Sequence, residues 1–179
     1  MLLYPVFFTV TFILLRLARI DITEHSLSYL GATPVYGIYF DIALVVGGGC
    51  QLVILLELLF NRKVKVTILN MNPLLFLTST TIMGILTGII TNNVSKGAHF
   101  VIAAIGFFSA FLGWTLLGLA LLRMKRRFSG LLMVVFGCVM MPILMYVGIS
   151  AWSVNAMIEL IFFLAAYITN LVIYEVYLR

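Results

Sequence analysis

Six apolar runs of near-bilayer length, separated by breaks too short to hold a soluble domain, constrain this chain more than any motif does. They fall at about residues 2–19, 36–60, 67–90, 98–122, 130–151 and 155–178. A membrane-crossing helix needs about 20 mostly apolar residues, and in hydrocarbon only a helix or a closed barrel satisfies its own backbone. The composition agrees. Charged residues make up 9% of the chain and hydrophobic ones 64%, whereas roughly a quarter of a soluble domain is charged. The reading is an all-α, polytopic integral membrane protein of the cell membrane. A single six-helix transmembrane domain fills residues 1–179 and leaves no length for a separate catalytic domain. The first run is the shortest, because Arg16 and Arg19 interrupt it, and its clean part has the length of a signal-peptide core. It lacks a basic start and a small-residue cleavage site, and both arginines can snorkel to an interface.

Charge orients the bundle. The breaks after the second and fourth runs carry Arg62, Lys63, Lys65, Arg123, Lys125, Arg126 and Arg127. The positive-inside rule makes those loops, and hence both termini, cytoplasmic. With Arg179, eight basic side chains fall inside, against Arg16, Arg19 and Lys96 outside. The net charge of +5 is therefore a feature of short loops at one membrane face. It suits anionic headgroups and implies no nucleic acid.

Small residues mark the expected helix contacts. Ala103, Gly106, Ala110 and Gly113 descend one face of the fourth run below His99, and Gly84 and Gly88 form a GxxxG in the third, near Thr80, Thr81 and Thr87. Such stripes let backbones approach where lipid supplies no hydrophobic drive. Gly48, within "GGGC" at 47–50, thins the middle of the second run, and Pro142 marks an expected kink in the fifth. Cys50 and Cys138 have no CxxC partner, and two histidines are too few for a three-histidine zinc site, so neither metal nor cofactor is expected.

The polar chemistry gathers at the outer side. "EHSLSYLGATP" (24–34) follows the first run, Asp41 lies one to two turns into the second, His99 opens the fourth, and Glu159 sits about one turn into the sixth, with Asn155 one turn before it. Ionisable groups inside a span cost about 2.5–3.5 kcal/mol on insertion scales, so they point to function. The expected site is an outward-facing polar pocket built from Ser28, Asp41, His99 and Glu159, rimmed by Glu24, His25 and Asn155. Each residue has a structural alternative: an interhelical hydrogen bond for Asp41 or Glu159, a helix cap for His99, plain solvation for Glu24 and His25. Three functions remain open: binding of a lipid headgroup or other amphiphile, lipid chemistry with His99 as base and Glu159 or Asp41 as its acid partner, or an accessory role in a larger membrane complex or homo-oligomer. No GxSxG, HExxH or HxxxH arrangement supports the enzyme reading.

The stretch "SLSYLGATPVYGIYFDIALVVGGG" (26–49) resembles the six-span membrane family of domain of unknown function 998, which is related to the Frag/DRAM/Sfk group. Ser28, Leu30, Gly31, Ala32 and Phe40 match the family's pattern. Asp41 stands where the family usually has asparagine, and Ala43 where it has glycine. His99 and Glu159 are similar to a histidine and a glutamate at the corresponding points. The resemblance implies a fold and a shared polar site; it implies no reaction.

Overall fold

The structure is a computed structural model that describes residues 3–21, 25, 27–60, 67–91, 94–143, 146 and 156–178. Its described elements are helices: α1 (Leu3–Leu17), α2 (Leu27–Gly31), α3 (Gly37–Phe60), α4 (Pro73–Ile89), α5 (Lys96–Arg123), α6 (Arg127–Val135, continued by a π-helical turn, Phe136–Met140) and α7 (Ala156–Ile173, continued by a π-helical turn, Tyr174–Leu178). Three of them are long and apolar enough to cross a membrane: α3, α5 and the Glu159–Tyr177 stretch of α7. At 1.5 Å per residue, the 24 residues of α3 and the 28 of α5 extend about 36 and 42 Å, more than the roughly 30 Å hydrocarbon layer. Two shorter apolar helices accompany them, Pro73–Ile89 and Arg127–Ile143.

Helix ends follow local chemistry. The third apolar run starts at 67, but α4 starts at Pro73, because Ile68 and Met71 exchange two backbone hydrogen bonds of 2.9 Å across Leu69 and Asn70. Those two residues adopt positive φ (52° and 62°), the backbone of a tight reversal. Asn72 then caps α4, its side-chain oxygen accepting from the Leu74 N–H, while Pro73 fills a first-turn position that needs no donor. Ser95 caps α5 by accepting from the Ala98 N–H. Pro142 shows its effect as a widened turn. It lacks the N–H that would pair with the Cys138 carbonyl four residues earlier, and Phe136–Met140 is π-helical. Beyond Tyr146, the rest of the fifth apolar run lies outside the described residues, as does the basic segment 61–66.

Packing divides into backbone approach on one side and side-chain packing on the other. Helix α4 lies between α3 and α5. A Cβ at Gly48 would meet Ile85 at 2.6 Å, one at Gly88 would meet Leu44 at 3.2 Å, and one at Gly113 would meet Leu77 at 2.8 Å. Gly106 abuts Met83 and Ala110 is fully buried. Gly84 corrects the expected contact stripe: a Cβ there meets nothing within 4 Å. Its half of the GxxxG faces open space. The α5–α6 crossing rests on glycines that the small-residue stripes did not include. Added Cβ atoms at Gly118, Gly130 and Gly137 would come within 2.6–2.8 Å of the Val134, Leu122 and Thr115 backbone nitrogens respectively. Helix α7 instead docks through large side chains. Ala165, Val172 and Ile173 join Trp114, Leu117, Leu121, Met133 and Met141 in the main core, and Phe162 meets Trp114 and Phe107 with ring centroids 5.3 and 4.9 Å apart. Among the described residues, backbone approach of α7 to α3, α4 and α5 is sparse, and a cavity lies between α3, α4 and α7.

Candidate functional site

The polar run after α1 folds into a short helix held by residues far away in sequence. The Glu159 carboxylate, at the start of α7, accepts a hydrogen bond from the backbone N–H of Leu27, the first residue of α2. That N–H has no acceptor within its own helix. Leu27 and Leu30 are buried with Leu14, Leu15, Phe40 and Leu160, so α2 is fastened by one polar tie and an apolar underside. The Thr33 hydroxyl donates to the Leu30 carbonyl at 2.8 Å and ends the helix. The chain then turns back so closely that a Cβ at Gly37 would lie 2.3 Å from the Gly31 carbonyl oxygen. Gly37 does not have positive φ. It is glycine because of the approach. Gly31 in turn faces Asp41, whose Oδ1 would be 3.0 Å from an added Cβ.

His99 is oriented from the other side. Its Nδ1 lies 2.8 Å from the carbonyl oxygen of Ile90, the residue after α4. A carbonyl only accepts, so Nδ1 carries the hydrogen and donates it to Ile90. The bond also ties the end of α4 to the first turn of α5. The Asp41 carboxylate is near enough to the imidazole to interact with it electrostatically.

Asp41, His99 and Glu159 line one cavity of about 100 Å³, set between α2, α3, α4, α5 and α7. Three helices bring one ionisable group each to the same end of the bundle. The hydroxyl-bearing Thr80, Thr87 and Thr91 line the cavity too, with an apolar wall of Phe40, Leu44, Met83, Phe107, Phe162 and Phe163. The Thr80 and Thr87 hydroxyls donate to carbonyls of their own helix, those of Phe76 and Gly84, at 3.0 and 2.7 Å. They are polar surface with their hydrogens already engaged. Gly31, Gly84, Ala103 and Gly106 line it too; with open space at its Cβ position, Gly84 shapes the cavity and seats no helix there.

Other expected site residues fall elsewhere. His25 stacks on Tyr29, centroids 4.4 Å apart, and does not line the cavity. Glu24 and Asn155 lie outside the described residues. Ser28 belongs to α2, but its side chain lies outside them. The aromatic wall from Phe107, Phe162 and Phe163 escaped the sequence reading, because a phenylalanine in an apolar helix carries no sign of the face it occupies. Among the described residues, no group of three or more His, Cys, Asp and Glu side chains could hold a metal ion. Nor do any of the described lysines or arginines line the cavity.

The fold and site together define an all-helical chain with three helices long and apolar enough to cross a membrane and a polar-headed cavity at one end. No family model, curated protein or solved structure matches it.

Proposed function

We propose that the chain is a six-span integral membrane protein that binds the headgroup of a lipid or another amphiphile in the cavity lined by Asp41, His99 and Glu159. The observation that carries the reading is the meeting of these side chains, from three helices, inside an otherwise apolar wall. A few convergent polar groups in an apolar cavity are what an amphiphile's head requires. The six spans, the cytoplasmic termini and the outward-facing cavity belong to the same proposal. They are supported by Arg123, Lys125, Arg126 and Arg127, all exposed at the end of α5 away from His99. Membership of the family of domain of unknown function 998 is also proposed. In its favour, Leu30 is buried beneath α2, Gly31 abuts Asp41, and Phe40 lines the cavity.

Native mass spectrometry of the purified protein tests the reading. A retained amphiphile is expected on the wild type, with loss from Asp41→Asn and His99→Ala; a wild type stripped of any adduct by the mildest release counts against it. A second reading, a lipid-modifying enzyme, is favoured by the hydrogen bond from His99 Nδ1 to the Ile90 carbonyl, which makes Nε2 the nitrogen that would serve as base in the cavity it shares with Asp41. Turnover of labelled lipid extract that Glu159→Gln abolishes supports it, and binding without turnover rejects it.

A further inference from the structure

A second cavity, of about 80 Å³, adjoins the first. The two share Leu44, Thr80, Gly84, Phe162 and Phe163, which stand at their junction. The second runs down the gap between α3 and α7 over Ala43, Gly47, Gly48 and Ala166 as far as Gln51. Its width comes from missing side chains: Cβ atoms added at Gly47 or Gly84 would meet nothing within 4 Å. At its far end the Gln51 side-chain N–H donates to the Asn170 side-chain oxygen Oδ1 at 3.5 Å, an amide bridge from α3 to α7. From Asp41 to Gln51 the helix rises about 15 Å. The passage is polar at one end, apolar along its length, and crossed by a polar bar at the other.

We infer that the two cavities form one site for a single-chain cationic amphiphile, with its ammonium head between Asp41, Glu159 and His99 and its hydrocarbon chain laid between α3, α4 and α7 down to the Gln51–Asn170 bridge. The inference rests on the headgroup reading above and adds the ligand's class. Among the described residues the lining holds two carboxyl groups and no lysine or arginine, so it offers oxygens that accept an ammonium's N–H groups and no cation to hold a phosphate. In a bilayer the tail gains nothing from leaving water. What selects it is the fit of one chain in a slot that lipid would otherwise leave poorly packed.

The full chain is reconstituted in phosphatidylcholine nanodiscs with dodecylamine carrying a photoreactive diazirine, either at the terminal carbon or next to the amine, and labelled residues are mapped by peptide mass spectrometry. The terminal probe is expected to label Gln51, Ala166 and their neighbours, in competition with unlabelled dodecylamine. The amine-end probe is expected around Gly31 and Asp41. Gly47→Leu, at a position that lines the second cavity and not the first, fills the passage without meeting a neighbour at Cβ, so it should lose the terminal label and keep the amine-end label. Terminal label on the outward-facing Val46 and Val53, unchanged by Gly47→Leu, overturns the tail passage while leaving the head site standing. Absence of the amine-end label from the wild type, or its survival in Asp41→Asn, overturns the head site and the inference with it.

Discussion

Replacing Gly37 with alanine probes the device that places Asp41. The new Cβ would sit 2.3 Å from the Gly31 carbonyl oxygen and 2.9 Å from its carbon, about 1.1 Å inside the 3.4 Å at which ordinary contact begins. Both obstacles are backbone, so no rotamer change relieves them. Overpacking of this kind costs about 1–3 kcal/mol. Against it stands the helix propensity of alanine over glycine, at most ~1 kcal/mol and less at the first residue of a helix. The clash wins, and a net loss of about 1–2 kcal/mol is expected, or several degrees in Tm at roughly 2–4 °C per kcal/mol for a chain of this size. Gly49→Ala is the control with the opposite sign: it lies mid-helix in α3 and its Cβ meets nothing within 4 Å, so its Tm should stay level or rise. The assay is thermal unfolding in mild detergent followed by tryptophan fluorescence, with Trp114 buried in the main core. A Gly37→Ala protein as stable as Gly49→Ala would mean that α2 does not press on α3, and the support for Asp41 from Gly31 would go with it.

Further outcomes follow from single hydrogen bonds. Glu159→Gln keeps an oxygen for the Leu27 N–H and should cost little stability, whereas Glu159→Leu strands that donor at about 1–3 kcal/mol; hydrogen exchange at Leu27 should rise only in the leucine variant. His99→Ala removes the partner of the Ile90 carbonyl, and faster exchange is expected at the end of α4 and the start of α5, with none at α6. Thr11 is fully buried on α1, and its hydroxyl has no hydrogen-bond partner among the described residues. Thr11→Val should therefore raise stability by ~1 kcal/mol, since a buried polar atom without a partner is removed; a lower Tm would show that the hydroxyl is bonded.

How much of this was legible in the sequence depended on whether a signal was local. The apolar runs at 36–60 and 98–122 match α3 and α5 closely, because hydropathy and helix length are properties of contiguous residues. The run at 67–90 overshot α4 because Ile68 and Met71 are apolar, although Asn72-Pro73 is a cap signal that marks the true start. Asp41, His99 and Glu159 were identifiable as ionisable groups near one end of their helices. His25 was misplaced, since adjacency to Glu24 in sequence does not say which way a loop residue turns. Small residues were the least legible: Gly88 and Gly113 touch neighbours, Gly84 lines a void, and Gly37, Gly118 and Gly137 make closer approaches than either. A missing side chain permits an approach; only the partner helix decides whether it happens.

The most direct measurement is an experimental density map of the protein in lipid nanodiscs, at a resolution that shows side chains. Expected is elongated density with one end against Asp41 and Glu159 and the other near Gln51. Carboxylates turned away from His99 towards opposite membrane faces, with Phe162 and Phe163 collapsed across the gap between α3 and α7, would contradict it.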